Sequence, residues 1–161
     1  MSDTGPGDSG DPGGRPPRVS ITDEQSLPAD AGALERLARV ALDEAGVPGG
    51  HSLSVALVDR ARIAELKGRY YGERRATDVL SFPMDAIDAP APAILGDVVI
   101  CVEVAGRQAR ALGRPVQDEL EHLLVHGILH LAGHDHAQPA GEVRMAREET
   151  RILRAARAVA S

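Results

Sequence analysis

Lysine is nearly missing from this chain: Lys67 is the only one, and the other basic residues are arginines. Cysteine is as scarce, with Cys101 alone in an apolar run. One cysteine excludes an intramolecular disulfide and a cysteine-built zinc site, and it suits a reducing compartment. No stretch approaches the ~20 apolar residues of a membrane span, and no apolar signal-peptide core opens the chain. The expectation is a soluble, cytoplasmic protein with no membrane partner. A formal net charge of −6 argues mildly against indiscriminate binding to nucleic acid. The planar fork of arginine suits phosphate, but biased coding composition also yields arginine over lysine, so that balance decides nothing.

At 161 residues the chain is sized for one domain, large enough to bury about two-thirds of its unfolded surface. Residues 1–17 are Gly, Pro, Ser and Asp with almost nothing to bury and read as a disordered tail; 18–161 read as the single domain. Within it, Arg18–Ile21 predicts a short strand. A helix is predicted from Leu27-Pro28 to about Ala45 on the spacing of Leu34, Leu37, Ala38 and Ala41. Ser52–Val58 alternates like a strand, and Asp59 precedes a helix that breaks near Gly72. Thr77–Pro83 and Ile94–Cys101 read as strands either side of a Pro/Ala loop. Helices are predicted over Glu103–Leu112, from Pro115 through an apolar run past Leu129, and from Glu142 to about Val159. Strands and helices in this mixed order predict an α+β layer fold.

Five of the six histidines fall between positions 122 and 136. In His126-Gly-Ile-Leu-His130-Leu-Ala-Gly133-His-Asp-His136, the first two ligand candidates are one helical turn apart and share a face. Gly133 can end the helix in a left-handed conformation and turn the chain back, so that His136 completes a claw of three nitrogens. Three imidazoles with one open position is the usual arrangement of a catalytic zinc, and one Zn²⁺ per chain is expected. Such a zinc lowers the pKa of a bound water to about 7 and polarises carbonyl or phosphoryl oxygens. The spacing is that of the metzincin zinc helix except where the protease keeps its glutamate base, a position held here by Gly127. A metzincin-like zinc helix is thus predicted without the proton shuttle of peptide hydrolysis.

Thr77-Asp-Val-Leu-Ser-Phe-Pro83, Leu95-Gly-Asp-Val-Val-Ile-Cys101 and the histidine run, in that order, resemble the YbeY family of bacterial zinc-dependent endoribonucleases. The resemblance covers roughly residues 18–158. It implies a small mixed β-sheet flanked by helices, with zinc at one end of a cleft held by His126, His130 and His136. It further implies cleavage of single-stranded RNA in the maturation of small-subunit ribosomal RNA and in ribosome quality control. The implied partners are ribosomal RNA and small-subunit ribosomal proteins. The family commonly has Tyr-Arg-Gly before the Thr77 segment, and its arginine is thought to hold substrate phosphate. Here Tyr70-Tyr71-Gly72 stands there instead. Arg69, Arg74 and Arg75 are the nearby candidates. Arg69 is preferred as the catalytic guanidinium because in a strand-like stretch it would share a face with Tyr71.

Other readings stand beside these. A metzincin-like peptidase would have to recruit a base from elsewhere, such as Glu121, and a ribosome-assembly factor would use zinc only structurally. His122 reads as a neighbour of the ligands or a surface histidine, and His134 as facing solvent or substrate. Asp135 either orients a ligand imidazole or serves the turn. Asp97 either lines the cleft or caps a turn. Arg144, Arg147, Arg151 and Arg154 read as a solvated face paired with Glu148 and Glu149 rather than an RNA track.

Overall fold

The structure, a computed structural model, describes residues 17–134 and 139–160. The tail expected over 1–17 lies outside them except for Pro17, whose carbonyl accepts a hydrogen bond from Arg39 Nη1 at 3.0 Å. Four strands form one sheet: β1 (Arg18–Asp23), β2 (His51–Val58), β3 (Val79–Pro83) and β4 (Ala93–Cys101). Their order is β1-β2-β4-β3, with β1, β2 and β4 parallel and β3 antiparallel to β4 at the edge. Five helices complete the domain: α1 (Ala31–Glu44), α2 (Arg60–Tyr71), α3 (Val102–Leu112), α4 (Val116–Leu131) and α5 (Pro139–Ala160). No helix among the described residues is long and apolar enough to cross a membrane.

Most element ends follow local chemistry. Asp59 Oδ1 accepts from the Arg62 amide at 2.9 Å and starts α2, and Gly72, at φ 74°, stops it. α1 begins later than Leu27-Pro28 suggests, because Asp30 takes the capping role and its Oδ1 accepts from the Ala33 amide at 3.0 Å. Pro115 is the N-cap of α4 rather than its first helical residue, with ψ at 146°.

The two faces of the sheet differ. Leu53, Val55 and Leu57 of β2, with Leu95, Val98 and Ile100 of β4, form one aliphatic core with α1, α4 and α5. Val58, Leu80, Val99 and Cys101 meet Ile63 of α2 on the other face. α2 covers only part of that face, leaving a groove of about 440 Å³ lined by Ser20, Thr22, Ser54, Tyr70, Phe82 and Asp97 among others. A register shift between Ser52 and Leu53 leaves Leu95 as an extra residue on β4. Under strict alternation Asp97 would follow Leu95 into the core; the bulge turns it into the groove and returns Val98 to the core side.

Gly96 sits at that bulge with φ at 152°, and a Cβ there would lie 2.4 Å from the Phe82 carbonyl oxygen and 2.9 Å from Leu131 Cδ2. Gly96→Ala therefore combines backbone strain of about 1–3 kcal/mol with overpacking of about 1–3 kcal/mol. The variant should melt roughly 5–20 °C lower; a thermal scan within 2 °C or so of the parent would show that the bulge relaxes freely.

Candidate active site

α4 is apolar on three sides, with Leu120, Leu124, Ile128 and Leu129 fully buried. Its remaining side carries His126 and His130, one turn apart, with ring centroids at 4.8 Å and planes at 73°. The helix ends as its sequence predicts. The Gly133 amide donates to the His130 carbonyl at 3.1 Å, and the His134 amide to the Leu129 carbonyl at 2.9 Å. This paired closure, with Gly133 at φ 101°, is a Schellman motif that ends the helix directly after His130 and Leu131. His136 and Asp135 lie outside the described residues. Among the described residues no three metal-binding side chains converge.

A carboxylate from a different helix completes this corner. Glu149 Oε2 is 2.5 Å from His126 Nδ1, and its Oε1 is 3.7 Å from His122 Nε2. An ionised carboxylate can only accept, so Nδ1 of His126 is the donor, and the neutral imidazole with its proton there offers Nε2 as a lone pair. That is the form in which an imidazole binds a metal, and an acceptor on the far nitrogen raises its basicity and locks its ring. The donor set fits a divalent ion of zinc type. Glu149 was expected to pair with the arginines of α5, and the structure corrects this. Met145, Glu149 and Ile152 are all buried at helical spacing, so Glu149 belongs to the inward stripe of α5. That stripe was the available signal: a carboxylate in line with two core residues needs a polar partner. Glu148, a 100° step round the helix, faces outward and holds Arg151 at 2.7 Å. Arg151 also reaches Glu44 at 2.5 Å, which binds α5 to α1 and makes this arginine structural.

Gly127 lies between the two histidines but on the sheet side. A Cβ there would stand 2.8 Å from Val98 Cγ1 and 3.2 Å from Ser81 Oγ. No glutamate fits at this position, so the protease base is excluded by packing as well as by sequence. Glu121, the substitute base considered above, faces α1 and the end of α5 beside Leu37, Ala156 and Arg157. Burial there pushes its carboxyl above the usual range. Nine residues before His130, it projects from the opposite side of α4 and cannot serve the histidines.

Arg69 is on the last turn of α2 and exposed. The strand-like stretch that was to align it with Tyr71 is helical, and residues two apart on a helix do not face each other. Arg69 lies instead near Glu65, whose carboxyl is held low chiefly by Arg62, with Arg69 and Arg74 adding to it. Tyr71 is the residue that reaches toward the histidine helix. Its hydroxyl donates to the Ser81 carbonyl at 3.0 Å, and Ser81 Oγ donates to the Gly127 carbonyl at 3.2 Å. Asp97 lines the groove, and burial raises its pKa. His134 lies close enough to Glu148 to lower that carboxyl, after the larger effect of Arg151.

The Glu149–His126 bond makes a measurable claim. Glu149→Leu keeps the volume and removes the acceptor, and it should weaken zinc binding by about 10- to 100-fold in chelator competition. Unchanged affinity would show that the carboxylate serves α4–α5 packing alone.

The profile of the Endoribonuclease YbeY family matches residues 20–157. An Endoribonuclease YbeY of Thermobifida fusca is 49% identical over 75% of this chain and 82% of its own length. Another, from Acidothermus cellulolyticus, is 45% identical over 87% and 92%. The solution structure of TM1509 from Thermotoga maritima superposes with a TM-score of 0.61 at 26% identity, covering 87% of this chain and 88% of that one. With the profile matched over most of the chain and these relatives named for it, the chain belongs to the endoribonuclease YbeY family.

Proposed function

We propose that this chain is a zinc-dependent endoribonuclease of the cytoplasm that cuts single-stranded ribosomal RNA during maturation of the small subunit. The observation that carries the zinc reading is the pair His126 and His130 on one turn of α4, with Glu149 holding Nδ1 of His126 at 2.5 Å. His126 and His130 would hold the ion together with His136. When bound, zinc supplies a Lewis acid for a phosphoryl oxygen and acidifies water. Everything else falls to the chain. Glu149 keeps one ligand imidazole in its binding tautomer. Ser81 ties the edge strand to α4 beside the ligands. The groove on the open sheet face supplies room for an extended strand. RNA as substrate rests on the family, whose named relatives are endoribonucleases. The small-subunit ribosomal proteins follow as partners only through that substrate.

The peptidase reading loses its support at Gly127 and Glu121, the two places where a base could stand or was sought. Zinc-loaded protein should therefore cut single-stranded ribosomal RNA fragments and leave casein intact. His130→Ala should abolish the cleavage and lower the metal content found by elemental analysis. Casein hydrolysis that follows zinc content would overturn the nuclease reading, and RNA cleavage that survives His130→Ala would trace to a contaminant.

Charge developing on phosphorus still needs a cation. Arg69 is the candidate that the sequence offers, and Arg62, which lines the groove and pairs with Glu65 at 2.6 Å, is the one that the fold adds. Arg69→Ala should slow turnover by about tenfold to a thousandfold with zinc content unchanged. Full activity in that variant, with loss in Arg62→Ala, would move the role to the first turn of α2.

A further inference from the structure

The chain has two tyrosines, one phenylalanine and no tryptophan. All three aromatic side chains stand together. Tyr70 meets Phe82 edge-on with centroids at 5.2 Å, and Tyr71 meets it tilted at 5.9 Å. They are not there to fill the core, which is aliphatic. Tyr70 is 60% exposed, Tyr71 54%, and the adjoining Met84 59%. An aromatic ring offers more apolar area to bury than most side chains, and here two of the three are left facing water, Tyr70 at the wall of the groove.

The cluster is held in place. Gly72 stops α2 directly after Tyr71, and the Tyr71 hydroxyl is bonded to the Ser81 carbonyl on β3 at 3.0 Å. Phe82 projects from β3 opposite Asp97. The next link, Ser81 Oγ to the Gly127 carbonyl at 3.2 Å, lands on α4 between His126 and His130. The rings thus stand one edge strand away from the histidine helix. The groove beside them offers the hydroxyls of Ser20, Thr22 and Ser54 and the guanidinium of Arg62.

We infer that Tyr70, Tyr71 and Phe82 form a stacking platform for an unpaired nucleobase of the substrate strand, beside the cleavage site. This rests on the ribonuclease reading and adds to it the means of telling single strands from duplexes. A base in a duplex has both faces covered by its neighbours, whereas an unpaired base can place a face against an exposed ring. Stacking is tolerant of sequence because every base has a π-face, and pre-fixed rings lose little entropy on binding. The inward-facing Phe82 is the support, and Tyr70 is the contact surface. Arg62, with the hydroxyls along β1 and β2, lies where the flanking backbone would run.

The test uses the zinc-loaded full chain and a single-stranded oligoribonucleotide carrying one 2-aminopurine, mixed by stopped flow and read before cleavage. Binding should quench the aminopurine emission, and the same probe annealed to its complement should leave the emission unchanged. Tyr70→Ala should weaken single-strand binding by about 5- to 150-fold, the range of one lost base–aromatic stack. The loss should appear in KM more than in kcat, and Tyr70→Phe should restore it. Tyr71→Phe, which keeps the ring and removes the bond to Ser81, should lose less affinity than Tyr71→Ala does. Single-strand affinity unchanged in both Tyr70→Ala and Tyr71→Ala, or an equal loss for duplex RNA, overturns the platform. Failure of the parent protein to cut any RNA would instead overturn the ribonuclease reading, so the two failures are separable.

Discussion

The close approach of α4 to β3 and β4 at Gly127 is the contact on which the rest of the molecule depends. With no side chain there, the helix backbone settles onto Val98 and takes a hydrogen bond from Ser81 Oγ. Interiors packed to crystal density have no slack to absorb an added methyl at 2.8 Å. The approach therefore sets the height of α4 over the sheet. It also decides chemistry, since the site of the protease glutamate is occupied by the sheet itself.

A second constraint is the cost of burying charge. Glu149 and Glu119 are both nearly hidden, and each has a partner. Glu119 takes Arg114 at the start of α4, with Nε at 3.1 Å. Glu149 takes imidazoles instead, which stay neutral when they bind a metal. A carboxylate in that stripe is tolerable because His126 donates to it, and His126 is oriented because the carboxylate cannot move. The same economy separates the two sheet faces: aliphatic side chains under α1, α4 and α5, hydroxyls and rings on the face that α2 leaves open.

Helices, strands and their stops were largely legible from the chain alone, because each was signalled by residues close in sequence. Asp59 caps, Gly72, Gly113 and Gly133 terminate, and the alternation of Ser52–Val58 reads directly as a half-buried strand. Errors arose where a local pattern had two solutions. Leu27-Pro28 could have opened α1, but Asp30 offered the better cap. Arg69–Tyr71 falls at the end of a helical pattern just before a strand, and the helical solution sends the two side chains apart. Glu148 and Glu149 looked alike beside the arginines until helical phase separated them, one to water and one to α4.

By itself the sequence determined that His126 and His130 share one face of α4 and that Gly133 ends the helix behind them, because both need only helical geometry. It determined the family too, through motifs that are contiguous in the chain. Tertiary structure alone decided which residues support them. Glu149 comes to His126 from 23 residues away on another helix. Asp97 reaches the groove through a bulge in β4. Tyr70, Tyr71 and Phe82 meet only because α2 ends over the edge strand. Those contacts depend on register and on the distance between layers, which are properties of the packed sheet and helices and which no short stretch of sequence carries.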